Sequence, residues 1–344
     1  MNEKFNNSPE AQEEDEKQNQ ENPEHNIILN RVIEETGIPN LFSVLTEIPS
    51  TDFQSLLLEI MEKKSFKTGV KEINAALENN PYVEMCEVDQ LTFIKFDSLA
   101  YSLLSSKYKS VELSPLVPFA TNRVLADLSQ KRVLSTSRNS EVISDPTTAL
   151  ALYCAKERAE KIRKNSKDSE LVAIAASQRV IRQDQIKKEG YSQHFRTFTV
   201  SVAGRDVGFE KFEKENLKEH LNFFLSLLRE LNESDNYIID EIAVIISNVG
   251  EKQSELLDII KDTVVKELME EFPEVTFKID PDRKSNYYKS LCYSISAKNK
   301  DRKKPLSIAG GGMTDWTETL VGSKKEKLLV GSIGSETLCR HFRS

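Results

Sequence analysis

No stretch of this chain approaches the run of roughly 18 apolar residues that a membrane-spanning helix needs. Its first residues are acidic and polar where a secretory leader would be basic and then apolar. A cytoplasmic protein with no membrane association is therefore expected. Cysteine is scarce: Cys86, Cys154, Cys292 and Cys339 lie far apart with no CxxC, so neither a disulfide framework nor a thiolate zinc site is expected. His25, His194, His220 and His341 are the whole histidine complement, too few for a multi-histidine metal centre. Positive charge is also in deficit, with a net charge of −8. Residues 1–25 hold eight Asp and Glu against two Lys and so supply −6 of it. The rest is nearly neutral, which argues against a general nucleic-acid or anionic-membrane surface.

What is present is a chain of 344 residues, 38% apolar and 30% charged, long enough for one large domain or two modest ones. Residues 1–25, rich in Glu, Gln, Asn and Pro, read as a disordered acidic tail. Residues 26–96 read as a small helical region. In it Thr51 and Gln54 fit a capping box ahead of Phe53, Leu56, Leu57 and Ile60, and a second helix covers 69–79. From Asp97 onward the chain reads as a second, larger domain. SLAYSLLSSKY is helical, Pro115 and Pro118 hold the next stretch extended, and KRVLSTSR and EVISD are short extended pieces. Asp145 and Pro146 then open a helix, as capping chemistry predicts. Two strands, 171–181 and 194–204, flank a polar connection containing Gly190 and form an antiparallel hairpin.

Leu217, Leu221, Phe224 and Leu228 recur at helical spacing over about 212–231, and Leu257, Ile260, Val264 and Leu268 mark another amphipathic helix. EIAVIISNVG, VTFKID, YYKSLCYSISA, PLSIAGGGM and LLVGSIG supply further strands. Helices and strands alternate irregularly, which predicts an α+β domain around a mainly antiparallel sheet.

Arg179 and Arg182 stand where the first hairpin strand gives way to the loop, with Asp184 just beyond. Guanidinium groups at a sheet mouth suit a phosphate or carboxylate, because each offers paired donors; the other reading is a solvated turn with an ordinary ion pair. Gly310, Gly311 and Gly312 either let a ligand approach the backbone or form a bulge. They have neither the Walker nor the dinucleotide spacing. Lys324, Lys325 and Lys327 form a basic turn, either solvated or touching a phosphate.

Taken in order, these pieces resemble the catalytic core of class II aminoacyl-tRNA synthetases, most of all histidyl-tRNA synthetase and the regulatory subunit of ATP phosphoribosyltransferase. SLLSSKYKSVELSP is similar to motif 1, the dimer-forming element, with Pro115 as its proline. VISDPT is similar to the segment that holds a substrate amino group. The hairpin is similar to motif 2, DRKSNYY to the histidyl signature of an arginine and paired tyrosines, and GGMTD and GSIGSET to the glycine-rich signature and motif 3. The resemblance implies a class II synthetase-like antiparallel sheet flanked by helices, with the small helical region at the amino-terminal side, and a homodimer built through residues 98–118.

It also implies a nucleotide site of Arg182, Asp184, Phe195, Gly334 and Arg340, with Arg182 on the α-phosphate. The implied substrate site is Asp145, Thr147, Tyr287, Tyr288, Gly311 and Gly312. Arg182 and Arg283 would carry the electrostatic part of the chemistry. ATP and Mg²⁺ are the implied cofactors, and a small amino acid or carboxylate the partner.

Four departures bear on function. Thr337 stands where motif 3 ends in arginine, leaving Arg340 or the lysines of 324–327 as substitutes. Met313 replaces the arginine after the paired glycines, Asp145 is one methylene shorter than the family's glutamate, and Thr197 and Ser201 occupy substrate-facing places. The sequence ends just after motif 3, so ordinary tRNA charging is not expected. Two functions remain: an ATP-dependent ligase that forms an acyl-adenylate, or a noncatalytic regulatory or scaffolding subunit with a protein partner.

Overall fold

Alternation of side chains along the strands sorts this chain into two cores, one on each face of a single sheet. A computed structural model describes residues 23–183, 192–234, 236–250, 253–299 and 304–344. Residues 1–22 of the expected tail and Asp184 lie outside them. The helices are α1 (Pro23–Thr36), α2 (Leu41–Glu47), α3 (Ser50–Ser65), α4 (Val70–Asn79), α5 (Gln90–Leu103), α6 (Thr121–Ala126), α7 (Pro146–Lys164), α8 (Lys211–Glu233), α9 (Gln253–Ile260), α10 (Lys266–Glu271), α11 (Trp316–Val321) and α12 (Ser335–His341). The strands are β1 (Tyr108–Ser110), β2 (Leu116–Pro118), β3 (Ser140–Val142), β4 (Val172–Ile181), β5 (His194–Arg205), β6 (Asp240–Asn248), β7 (Thr276–Ile279), β8 (Leu291–Lys298), β9 (Leu306–Thr314) and β10 (Glu326–Ile333).

Eight strands form the main sheet in the order β1-β4-β5-β10-β9-β8-β6-β7, and β2 pairs separately with β3. The pairing is antiparallel except for the outer pairs β1 with β4 and β6 with β7. The expected hairpin is present as β4 and β5, with Ile181 opposite His194. On one face α5, α8, α9 and α10 pack against Val200, Val202, Val244, Ile246, Tyr293 and Ile295. On the other, α7 and Trp316 cover Val172, Ile174, Ala176, Leu328 and Val330. The stripe predicted on α8 is wholly in the core, Leu217, Leu221, Phe224 and Leu228 each being at most 1% exposed.

Local readings of the amino-terminal half need correction. The capping box of Thr51 and Gln54 does not form. Pro49 carries the chain into α3 at Ser50, which places Thr51 inside the first turn. At α4 half of such a box forms, the Glu72 carboxylate accepting from the Gly69 N–H at 3.0 Å. The helix read as beginning near residue 98 is α5, which starts at Gln90 because Asp89 accepts from Thr92 N–H at 3.0 Å and caps it. Phe93 and Phe96, at 2% and 1% exposure, are core residues of the sheet domain. Helices α2, α3 and α4 bury no residue. KRVLSTSR opens with a 3-10 turn, Gln130–Arg132, rather than extended chain.

The glycines are explained by one buried ring. Gly311 and Gly331 face each other across β9 and β10, and Tyr293 lies opposite Gly311 on β8. A Cβ built on Gly311 would stand 2.6 Å from Tyr293 Cζ, and one on Gly331 would collide with Tyr293 Oη. Two side chains are absent so that one tyrosine can lie flat on the sheet beneath α8.

Candidate functional site

Arg182 follows β4 directly, and its backbone N–H donates to the Gln193 carbonyl at 2.9 Å, closing the base of the hairpin. Its Nε donates to the Ser144 carbonyl at 3.0 Å, and its guanidinium lies over the Phe195 ring, 5.1 Å from the centroid. One edge faces Asp145 Oδ2 at 3.7 Å. The side chain remains 32% exposed, so a held and oriented cation still presents donors outward.

Asp145 is the N-cap of α7. Its Oδ1 accepts from the Thr147 N–H at 3.0 Å and from the Thr147 hydroxyl at 2.7 Å, the arrangement an Asp ahead of an N1 proline is built for. Tyr287 Oη donates to Oδ2 at 3.0 Å and lies 2.9 Å from Thr147 Oγ1. The Tyr287 ring stands edge-on to Tyr288 at 4.9 Å and to Trp316 at 5.1 Å. Burial, and after it the Asp145 charge, pushes the Tyr287 phenol well above its usual range, so at neutral pH it remains a donor.

Tyr288 is the meeting point of the site's charges. Burial raises its phenol and Asp145 adds to that, while Arg283 and Arg182 both act in the opposite sense. Arg283 also opposes the burial that pushes the Cys292 thiol up to about 11; Cys292 is therefore a packing residue and not a nucleophile at neutral pH. Arg283 is half-buried, and among the described residues it makes no hydrogen bond or ion pair. Its charge acts on both Tyr288 and Cys292.

Strand alternation assigns the floor of this region to Thr197, Thr199, Ser294, Ser296, Gly310 and Ser332. These lie on the face opposite Phe198, Tyr293 and Ile295, which enter the core beneath α8. Thr199 Oγ1 lies 2.9 Å from Ser332 Oγ, and Thr197 Oγ1 donates to the Ile333 carbonyl at 3.0 Å. Gly310, Ser294, Ser296 and Ser332 are not fully buried. The sheet is thus partly exposed at Gly310, Ser294, Ser296 and Ser332, while Thr197 and Thr199 are buried and Lys298, on the same face of β8, pairs with Glu241 at 2.8 Å.

The structure brings together Arg182, Phe195, Asp145, Thr147, Tyr287, Tyr288 and Arg283. Of the other described candidates, Gly311, Gly312, Gly334 and Arg340 serve packing or ion pairs instead. Gly311 serves the core face, where Tyr293 takes its space. Gly312 is covered as well, since a Cβ there would meet Tyr288 Cδ1 at 2.6 Å and the Leu291 carbonyl at 2.8 Å; its role is to seat the Tyr288 ring. Gly310 is the glycine of the three with open surroundings. Gly334 precedes α12 and makes room for Thr337, whose Oγ1 would be 2.9 Å from an added Cβ. Arg340 pairs with Glu336 at 3.2 Å and Glu87 at 3.6 Å.

Lys327 pairs with Glu213 at 3.3 Å and Asp206 at 3.7 Å. It sits at the far end of β10 from Gly334, about 23 Å away along an extended strand. Arg179 is not a companion of Arg182 either. Strand parity turns it to the other face, where it meets Glu336 at 2.9 Å and His194 Nδ1 at 2.9 Å.

Two contributors have little or no signature in the sequence. Trp316, the chain's single tryptophan, supports Tyr287 from α11, and its uniqueness beside GGGMTD was the available signal. The Ser144 carbonyl orients Arg182, and no side-chain pattern announces a main-chain acceptor.

No family model matches the sequence, and no curated protein matches it. Solved structures do. A Bacillus halodurans protein described as an ATP phosphoribosyltransferase regulatory subunit/histidyl-tRNA synthetase superposes with a TM-score of 0.54 at 12% identity, covering 76% of this chain and 82% of that one. The RNA binding domain of threonyl-tRNA synthetase from Cryptosporidium parvum gives 0.51 at 8% identity over 72% of this chain and 62% of that one. Apo histidyl-tRNA synthetase from S. aureus gives 0.48 at 14% identity, and this chain spans 63% of its length. The large, mostly antiparallel sheet flanked by helices is a class II synthetase-like fold, and its structural neighbours are histidyl-tRNA synthetase and the ATP phosphoribosyltransferase regulatory subunit.

Proposed function

We propose that the protein binds an adenine nucleotide and a small carboxylate at the open face of the sheet and joins them as an acyl-adenylate. The observation that carries this reading is Arg182, held by Ser144, Phe195 and Asp145 yet 32% exposed, together with a second guanidinium, Arg283, whose charge also acts on Tyr288 and which makes no hydrogen bond or ion pair among the described residues. In this chemistry a carboxylate oxygen attacks the α-phosphorus in line, and the bond to the bridging oxygen of pyrophosphate breaks. The protein positions the two anions and stabilises the charge that builds between them. Arg182 would hold the α-phosphate, with Phe195 beside it for the adenine, and Arg283 the carboxylate. Among the described residues no group of three His, Cys, Asp or Glu side chains is arranged to hold a metal. Mg²⁺ would come with the ATP phosphates, whose charge it neutralises.

The noncatalytic reading has one observation in its favour. Thr337 packs on Gly334, and Arg340 is engaged with Glu336 and Glu87, so no cation on α12 is turned to a γ-phosphate. Calorimetric titration separates the two readings. A charge-assisted contact contributes about 1.5–3 kcal/mol, so Arg182→Ala should weaken ATP and AMP alike by roughly tenfold to a hundredfold. Exchange of labelled pyrophosphate into ATP with a carboxylate present supports the ligase; nucleotide binding without exchange supports the regulatory subunit. Absence of adenine nucleotide binding at millimolar concentration removes both.

The homodimer belongs to the same proposal. Leu116 and Phe119 are 41% and 48% exposed, and Val124 and Tyr153 nearby are 70% and 46% exposed. A two-fold contact through residues 98–118 would cover such side chains. Light scattering at micromolar concentration should give the mass of two chains, and Phe119→Asp should shift it toward one; a monomeric wild type would contradict the proposal.

A further inference from the structure

We infer that the amino-terminal helical region pairs with a second copy of this chain, α4 lying antiparallel against the same helix of the other copy about a two-fold axis near Ile73. This goes beyond the nucleotide-and-carboxylate reading and uses none of its residues.

The starting point is an apolar face left open among the described residues. Val70, Ile73 and Leu77 recur at helical spacing on α4, within about 60° of arc, and are 75%, 59% and 60% exposed. Phe66, in the turn ahead of α4, is 79% exposed. Helices α2, α3 and α4 bury no residue. A helix of ten residues is marginal in water by itself and takes its stability from packing of its apolar face. The stripe on α4 therefore calls for a cover.

Charge decides what that cover is. From Lys63 to Lys71 the chain holds Lys63, Lys64, Lys67 and Lys71 and no carboxylate, and from Glu72 to Glu87 it holds Glu72, Glu78, Glu84 and Glu87 and no cation. Lys63 pairs with Glu59 at 3.1 Å, Glu72 accepts from the Gly69 N–H, and Glu87 faces Arg340 at 3.6 Å. The side chains of Lys71 and Glu78 are exposed, lie on one flank of the stripe, and make no hydrogen bond or ion pair among the described residues. The surface thus runs from basic to acidic along α4.

A partner whose charge runs the opposite way complements it, and a second copy turned about a two-fold axis is such a partner. In that arrangement Val70 of one copy meets Leu77 of the other, Ile73 meets its own equivalent, and Lys71 comes opposite Glu78 at both ends. Parallel pairing would set lysine on lysine and glutamate on glutamate, which disfavours it. Residues 1–22 are the rival occupant. They hold seven Asp and Glu against two Lys, with Met1 and Phe5 as their large apolar side chains, so they carry no stripe to match that of α4.

The test uses the full chain with Cys86→Ser, since Cys154, Cys292 and Cys339 are buried. Ile73→Cys places a thiol on the axis, and mild oxidation at micromolar concentration should join two chains, read on a non-reducing gel. Ala75→Cys, on the opposite side of the helix, should not. Added to Ile73→Cys, Lys71→Glu and Glu78→Lys should each raise the concentration for half-maximal cross-linking about tenfold. An equimolar mixture of those two proteins should return it to the starting value, because each supplies the charge the other lacks. A contact within one chain gives no such rescue. Since α4 buries no residue, these changes leave the fold intact.

Three results would each overturn the inference: no cross-linked pair from Ile73→Cys, equal joining through Ala75→Cys, or a mixture that does no better than its components. The first would leave the stripe to a different partner, the second would mean random collision, and the third would exclude the antiparallel register. Light scattering of Phe119→Asp reads the contact through residues 98–118 and the cross-link reads this one, so the two proposals fail separately.

Discussion

Replacing Arg158 by leucine is expected to cost about 3–5 kcal/mol of folding stability, because it leaves a buried carboxylate without its partner. Arg158 is fully buried on α7. Its Nε donates to Glu326 Oε2 at 2.7 Å and its Nη2 to Oε1 at 3.2 Å, and Glu326 is 1% exposed at the start of β10. Nη1 reaches Asp168 Oδ1 at 2.8 Å and the Glu170 carbonyl at 2.7 Å, while Nη2 takes the Asp168 carbonyl at 2.9 Å. Burial opposes the charge on Arg158, but the Glu326 and Asp168 carboxylates outweigh it and hold the guanidinium firmly protonated. The side chain thus ties a helix, a turn and a central strand together. The double variant Arg158→Leu, Glu326→Leu removes both charges and should recover a large part of the loss. Urea unfolding of the three proteins is the measurement; a double variant no more stable than Arg158→Leu would show that the unpaired carboxylate is not the cause.

The second large effect is a loss of stability in mild acid, traceable to His220. Burial first, and then the Lys107 charge, lowers its imidazole to about 3 from the ordinary 6.5. The folded protein therefore holds this ring neutral at a pH where the unfolded chain binds a proton. Stability from this group is complete above the unfolded value, falls as pH drops below it, and goes on falling until the folded value is reached. At pH 5 the expected loss is about 2 kcal/mol, growing by about 1.4 kcal/mol for each further pH unit. Unfolding in urea between pH 7 and pH 4 should show that slope in the wild type and a flatter one in His220→Leu. Equal slopes would place the acid sensitivity elsewhere. His220 is 3.4 Å from the hydroxyl of Tyr293, the ring that the two glycines accommodate, so protonation strikes the core beneath the candidate site.

Elements with a short period are legible in the amino-acid pattern itself. The stripe on α8 and the alternating strands of the hairpin fall within a few residues of their expected places, since a helix face or a strand face repeats at a spacing that burial must follow. Asp145 is readable as a cap for the same reason, its partner Thr147 being two residues away. The capping box expected at Thr51 does not form because Pro49 competes for the helix start, and local pattern alone does not rank the two.

The sequence by itself thus determined the kind of fold, the hairpin, the cap on α7 and, through its order of motifs, the synthetase-like architecture. Tertiary structure decided which of those residues share a site. Tyr287 reaches Asp145 across 142 positions of chain, a contact that no local period encodes. Arg179 and Arg182 look alike in the sequence, yet three steps along a strand and its end turn them to opposite faces, one toward Glu336 and the other toward Asp145. Gly311 and Gly312 read alike as ligand-approach glycines until pairing with β8 sets Tyr293 over the first and Tyr288 over the second. The physical reason is common to all three cases. Backbone preference acts over a turn or a pleat, whereas the surroundings of a side chain are set by whichever strand or helix the whole sheet brings alongside it.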